Sequence, residues 1–251
     1  MSLPNNSIMK TFYSKFLTSK TPGILFLILA FIFSLPAARA QVVNETAKKK
    51  ISIGFGVFTD IWQKVPSGVK TRTINQGVNV FGLYNLPFGK SPFGFSIGLG
   101  VRVHNVYGNF LVDTNKLKDA TVLKKIPDTV GYKRSKMTLA YLDIPLEIFM
   151  KTKSKVRLAL GFKAGILLSS HTKYVGDGRI ETSTYKFYTT KKIRLKTRGI
   201  PNLEQFTFGP TFRIGYRWIN ADCYYMLSNI FNKDHGPEMT PISVGLVLMP
   251  F

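Results

Sequence analysis

The stretch "YLDIPLEIFMK", residues 141–151, decides the fold. Leu142, Ile144, Leu146 and Ile148 share one face of an extended chain; Tyr141, Asp143, Pro145 and Glu147 share the other. Side chains of a strand alternate between its two faces, so this segment is apolar on one side and acidic on the other. Which side is buried depends on the company the strand keeps.

A period of two recurs along the chain. It predicts eight strands, near 51–62, 77–87, 94–109, 137–151, 156–174, 205–218, 221–231 and 241–251, with no useful helical pattern between them. The connections alternate in length. "PFGKSPFG", "TKSK" and "INA" are tight turns, whereas 111–136 and 176–204 are long. Short turns alternating with long loops are the pattern of an outer-membrane barrel, with turns in the periplasm and loops outside.

The faces agree with that pattern. In the third strand Phe95, Ile97, Leu99, Val101 and Val103 oppose Ser96, Gly98, Gly100, Arg102 and His104. In the fifth, Leu158, Leu160, Phe162 and Ile166 oppose Arg157, Gly161, Lys163 and Gly165. In the sixth, Phe206, Phe208, Phe212, Ile214 and Tyr216 oppose Thr207, Gly209, Arg213, Gly215 and Arg217. Glycines beside long cations have no place in the core of a soluble sandwich. In a narrow eight-stranded lumen they leave room for those cations, while the apolar face meets lipid. Asp143 and Glu147 are then expected to be interior acids paired with Arg102, Arg157, Lys163, Arg213 and Arg217. Pro145 removes a ladder hydrogen bond, for which a bulge is expected. The second and eighth strands are apolar on both faces, so periodicity leaves their register open.

The fold class is therefore an all-β, eight-stranded antiparallel up-and-down transmembrane β-barrel, expected over residues 51–251. Ahead of it, Lys10, Lys15 and Lys20 precede an apolar run from Ile24 to Leu35, and Ala38-Arg39-Ala40 has the form of a cleavage site. The run is too short to span a bilayer as a helix, so residues 1–40 read as a secretory signal peptide cleaved after Ala40. Residues 41–50 read as a short periplasmic segment. Cys223 is the single cysteine, which excludes a disulfide framework. The formal charge of +22, or +18 for residues 41–251, implies anionic partners, and export argues against nucleic acid.

"YLDIPLEIFMK" followed by "LALGFKAGILLSSHTKY", then "FTFGPTFRIGYRW" and "LSNIF", resembles the PorT-like outer-membrane β-barrel family of Bacteroidota. The likeness spans roughly residues 50–251 and rests on the order of several short motifs. It implies an eight-stranded outer-membrane barrel without cofactor, one founding member of the family being linked to protein secretion. The final strand departs from the family, ending Leu-Met-Pro-Phe. Phe251, a terminal aromatic, resembles the signal read by the barrel-assembly machinery.

Candidate chemistry is sparse. "GFSIG" (94–98) matches G-x-S-x-G, but a nucleophile elbow needs a strand-turn-helix context and here a strand continues. Ser169, Ser170 and His171 are adjacent, yet neighbours on a strand point apart, and only Ser169 and His171 could share a face near the rim. His104, His171 and His235 lack metal-ligand spacing. Asp143 and Glu147, four residues apart on one strand face, lie about 13–14 Å apart, too far for paired-carboxylate glycoside hydrolysis. No catalytic, cofactor or metal site is expected.

The loops are basic. Lys124, Lys125, Lys133 and Arg134 lie in one; Lys191, Lys192, Arg194, Lys196 and Arg198 lie in the other. Lipopolysaccharide phosphates are the expected partners, with an acidic glycan or a protein as the sharper alternative. "TYKFYTTKKIRLK" (184–196) alternates, so the fifth and sixth strands are expected to continue above the membrane as a hairpin. The sequence thus points to a non-catalytic structural or accessory envelope protein with a plugged lumen, possible service in secretion included. The alternatives are a small channel, a surface-binding barrel and a lipid-modifying enzyme.

Overall fold

The computed structural model describes residues 50–115, 119–182 and 186–249. The expected signal peptide, residues 41–49 and Phe251 lie outside these.

Eleven strands occur among the described residues: β1 (Ile51–Gln63), β2 (Gln76–Pro87), β3 (Phe93–Tyr107), β4 (Phe110–Asn115), β5 (Ala120–Lys125), β6 (Tyr132–Lys151), β7 (Val156–Glu181), β8 (Lys186–Arg198), β9 (Phe206–Tyr216), β10 (Ile219–Tyr225) and β11 (Thr240–Leu248). Eight of them, β1-β2-β3-β6-β7-β9-β10-β11, form a closed antiparallel ring in chain order. The first and last strands pair from Phe55↔Leu248 to Gln63↔Thr240, which leaves the ring without an edge. This is an up-and-down barrel. The remaining strands stand at the end with long connections: β4 pairs with β5, and β8 pairs with the upper half of β7.

The wall is inverted relative to a soluble protein. Ile51, Ile53, Phe55, Val57 and Ile61 of β1 are exposed, as are Leu160, Phe162, Ile166 and Leu168 of β7 and Phe206, Phe208, Phe212, Ile214 and Tyr216 of β9. Ten residues at ~3.3 Å each, tilted at roughly 40°, rise about 25 Å, the height of a lipid-facing band. Tyr216 and Trp218, which is 68% exposed, mark that band's lower limit as interfacial aromatics.

Closing the ring resolves the two ambiguous strands. In β2, Val78, Val80, Tyr84 and Leu86 face out, while Phe81 and Leu83 face in. In β11, Val244, Leu246 and Leu248 face out and Val247 faces in, where Phe81, Leu83, Val247 and Met249 form one apolar cluster. Both strands look apolar on both sides because this cluster lines part of the lumen.

Pro145 causes no bulge. Its register with β7 is continuous, and that with β3 is unchanged on either side of a gap opposite Ile144 and Pro145. The missing N–H is absorbed by skipping the β3 ladder there, not by inserting a residue. The β6–β7 register shifts lie instead at Ala140/Tyr141, where Leu168 is extra, and at Tyr132/Arg134. The loop-end hairpin forms as β7–β8, but β9 is not its continuation: a turn at 199–205 separates them. The tenth strand also stops early, at Tyr225, after which Met226, Ile230 and Phe231 fold inward to a buried cluster with Trp62, Met137, Leu139 and Tyr224.

Phe162 sits near mid-height of the lipid-facing wall, stacked on Phe208 at 6.2 Å. Phe162→Arg should lower barrel stability by at least about 2–4 kcal/mol, the cost of a cation at the bilayer midplane. Urea unfolding in lipid vesicles measures it.

Candidate functional site: the lumen and the basic loop end

The lumen is built from inward residues of all the ring strands. Arg102 of β3 forms a two-pronged ion pair with Asp143 of β6, Nε to Oδ2 at 2.8 Å and a terminal nitrogen to Oδ1 at 2.9 Å. Glu147, two inward positions along, receives Arg213 of β9 at 2.9 Å and Arg157 of β7 at 3.5 Å. Arg213 also donates through Nε to Asp222 of β10 at 2.9 Å. Side chains of Arg102, Arg157, Arg213 and Glu147 are at most 3% exposed.

Each buried cation also rests on an aromatic ring. The guanidinium carbon of Arg102 lies 4.3 Å from the Tyr224 ring centre, and Lys163 Nζ lies 4.7 Å from the same ring. Arg213 stands over Phe81 at 4.7 Å and Arg157 over Phe149 at 4.8 Å. A ring face offers a desolvated cation partial negative charge that water no longer supplies. Lys163 forms no salt bridge with a described carboxylate, so this ring face supplements the fields of Asp222 and Asp143.

The glycines opposite the acids are spatial. A Cβ on Gly161 would sit 2.8 Å from Thr211 Oγ1 and 2.9 Å from Glu147 Cγ; one on Gly165 would collide with Asp143 Oδ1. Larger residues at either position would displace a carboxylate from its partner.

A second network, unread from the sequence, lies beside it. Asp60 of β1 accepts from Ser243 Oγ of β11 at 2.6 Å and contacts His104 Nδ1 at 2.7 Å. The His104 ring packs edge-on against Phe58, Trp62 and Tyr141. The acid stands between Ser and His, so the base does not reach the hydroxyl and the arrangement cannot activate a nucleophile. Its signal was available only as polar residues on the inward faces of three strands.

Of the expected interior residues, Asp143, Glu147, Arg102, Arg157, Lys163 and Arg213 all point into the lumen. Arg217 does not, and that expectation is corrected. Tyr216 pairs with Ile219, so Arg217 and Trp218 form the two-residue β9–β10 turn, and Arg217 is exposed with φ 55°. Alternation was read two residues past the end of the strand. Asp222 takes the place in the network that the sequence left empty. The lumen sets three arginines and a lysine (Arg102, Arg157, Arg213, Lys163) against four carboxyl groups (Asp60, Asp143, Glu147, Asp222), with His104 beside Asp60.

The serine candidates do not assemble. Ser96 of the "GFSIG" stretch lies mid-strand and donates to Asn85 Oδ1 at 2.8 Å. Ser170 Oγ accepts from the Ile200 N–H at 2.9 Å, and no described hydrogen bond joins His171 to a serine. No group of His, Cys, Asp and Glu among the described residues could hold a metal.

The basic candidates lie at the loop end. Lys124 Nζ donates to the Glu181 carbonyl at 2.9 Å, and Lys125 pairs with Asp128 at 2.8 Å. Lys133 and Arg134 are exposed at the start of β6, and Lys191, Lys192, Arg194, Lys196 and Arg198 are exposed along β8. His171, three residues beyond the last lipid-facing residue of β7, is held below the ordinary histidine range by burial and then by Lys196, Lys136, Arg198 and Lys173. Lys136 is lowered as well, by burial and then by Arg134 and Lys196.

A closed antiparallel ring with an apolar exterior and a charged, filled interior is a transmembrane β-barrel. The chain belongs to the outer membrane protein beta-barrel domain family, whose model matches residues 41–232, and it is an outer-membrane protein. Among solved structures it is similar to Ail, the attachment invasion locus protein of Yersinia pestis, at 12% identity and a TM-score of 0.37, covering 79% of this chain and 97% of that one. The same protein in complex with the heparin analogue sucrose octasulfate matches at 12% identity over the same shares with a TM-score of 0.36. Its backbone structure in a phospholipid bilayer nanodisc matches at 13% and 0.32, again over those shares. No curated protein matches.

Two outcomes test the site. Asp143→Ala should cost about 3–5 kcal/mol by stranding Arg102, and the double variant Arg102→Met/Asp143→Leu should recover most of it; unfolding midpoints in detergent distinguish the two. For His171 the depressed folded value means protonation costs more in the folded state. Its contribution is therefore complete above the ordinary histidine range and lost as pH falls below it. Amide exchange of residues 171–175, corrected for intrinsic rates, should rise between pH 7 and pH 5 in the parent protein and stay flat in His171→Gln.

Proposed function

We propose that this protein is a closed, non-catalytic outer-membrane barrel that acts through its surfaces, as a structural or accessory component of the envelope serving protein secretion. The observation that carries the closed, non-catalytic part is the filled lumen. Ion pairs and an apolar cluster of Phe81, Leu83, Val247 and Met249 together fill its turn-side part, and a larger apolar cluster with Trp62, Leu139, Met226 and Ile230 fills the loop end. A water-filled path needs continuous polar lining, and the loop-end cluster interrupts it. The secretion role is supported by the PorT-like order of motifs, of which "YLDIPLEIFMK" supplies the turn-side half of β6 and "LSNIF" the segment closing the loop end. Short turns at one end and long, basic connections at the other support a periplasmic turn end and an outward loop end.

A surface-binding role is the second reading, favoured by the exposed cations of β8. Phosphates of lipopolysaccharide are its expected partners.

The protein reconstituted in planar bilayers should show no steady conductance. Stable single-channel steps would refute the closed lumen. Deletion of the gene should remove cargo proteins from the culture supernatant and accumulate them in the periplasm by mass spectrometry. Unchanged fractions would refute the secretion role and leave the closed barrel standing.

A further inference from the structure

The outer wall of the barrel continues above its lipid-facing band as an exposed sheet of β6, β7 and β8. Cross-strand register places one set of residues on its outward face. Lys136 pairs with Lys173, and Lys173 with Lys196, so three lysines lie side by side across three strands. The row below runs Thr138, His171 and Arg198; the row above runs Arg134, Val175 and Arg194. The intervening residues Tyr174 and Leu195 pair with each other and pack inward, against the cluster of Ile126, Val130 and Ile180, which fixes the cations on the outside.

Directly opposed like charges destabilise a sheet; here three lysines oppose one another in one row, with Arg134 and Arg194 in the row above and Arg198 in the row below. The neighbours do little to relieve them. Lys136 Nζ donates to Asn105 Oδ1 at 2.7 Å and stands 5.3 Å from the centre of the Tyr107 ring. None of Arg134, Lys136, Lys173, Arg194, Lys196 and Arg198 forms a salt bridge with a described carboxylate. Asp177, opposite Lys192 at the far end of the face, contacts Arg179 instead, at 3.9 Å. A row of three opposed lysines, flanked by further arginines and without a described carboxylate partner, implies an anion that the chain does not supply.

Position identifies that anion. His171 and Lys173 lie three and five residues beyond Leu168, the last exposed apolar residue of β7. On a strand rising ~3.3 Å per residue at roughly 40° of tilt, they stand about 8 and 13 Å above the hydrocarbon edge. An ordinary headgroup layer adds only roughly 5–8 Å on each side of the hydrocarbon. The rows therefore pass through the headgroup layer and beyond it, a span that a large anionic headgroup fills and a small one does not. The face is also continuous with the lipid-facing wall, so a lipid is its unavoidable neighbour.

We infer that the outward face of β6–β7–β8 is a binding site for a phosphorylated glycolipid of the outer leaflet, held through its phosphates by Lys136, Lys173, Lys196 and Arg198. This deepens the surface-binding reading and rests on the outward loop end. It is independent of whether the lumen conducts and of any part in secretion.

The test uses the full-length protein in phosphatidylcholine nanodiscs doped with bis-phosphorylated lipid A or with its dephosphorylated form, bound lipid being counted by native mass spectrometry. The parent should retain the phosphorylated lipid preferentially. Lys173→Gln/Lys196→Gln/Arg198→Gln should lose that preference by roughly tenfold to a hundredfold, as expected for three cations near an anionic surface. Lys90→Gln/Lys153→Gln/Lys233→Gln, exposed elsewhere, should keep it. Heat-dependent gel mobility checks folding. If the triple variant is unstable, Lys196→Gln alone carries the test at smaller amplitude. Equal retention of both lipids, an unchanged wall variant, or an equal loss in the control triple each overturns the proposal. So does a heparin-like sulfated polysaccharide binding the wall in place of the lipid.

Discussion

In hydrocarbon a sheet cannot keep a free edge, because every unpaired N–H and C=O there costs several kcal/mol. The β1–β11 pairing is where this chain meets that constraint, and much else follows from it. Eight strands close on a lumen just wide enough for side chains, so the lumen must be filled. Its filling is set by what fits: glycines opposite Asp143 and Glu147, long cations reaching across from β3, β7 and β9, and rings of Phe81, Phe149 and Tyr224 beneath them. Closure also fixes register, and a slip of one residue would send these charges into lipid.

Filling a lumen with charge is costly unless every charge finds a partner, since desolvation of buried ions can exceed their mutual attraction. Here the accounts balance by number, and geometry distributes them. Glu147 is shared by two arginines, Arg213 bridges two acids, and Tyr224 lies between Arg102 and Lys163. Such a network contributes less to net stability than an apolar core of the same volume. What it secures is a unique arrangement, because each member has acceptable partners only on particular strands.

Much of this was legible in the sequence, and what was not has physical reasons. Period two and the glycine-beside-cation pattern reveal which face meets lipid, because in a barrel wall that face is uniform from strand to strand. Strand ends are less readable: Arg217 continues the alternation of β9 and yet belongs to a turn, since the pattern carries no mark where pairing stops. Inward aromatics were read as ambiguity in the second strand, because a platform for a cation resembles a lipid-facing residue until the cation is placed. Asp222 and the Asp60–His104–Ser243 network depend on contacts across β1, β3, β9, β10 and β11, which only register supplies. The short strands β4 and β5 stand outside the ring and carry no lipid-facing pattern, so they read as loop. Pro145 shows a different limit: the ladder could yield by a bulge or by a gap, and the sequence does not choose.

The balance inside the lumen also bears on the charge outside it. With as many carboxyl groups as arginines and lysines in the interior, the formal excess of +18 over residues 41–251 resides elsewhere on the chain. A soluble protein with such an excess would tumble freely and present it to any polyanion. A barrel cannot: its lipid-facing band fixes height and orientation, so each cation has a constant depth relative to the headgroups. The sheet of β6, β7 and β8 places its cations in rows just above that band and on the lateral side. An apolar cluster fills the loop end of the lumen. On the proposed reading, a wall filled along its axis and charged along its flank would direct interactions sideways, into the plane of the membrane, where anionic headgroups are concentrated.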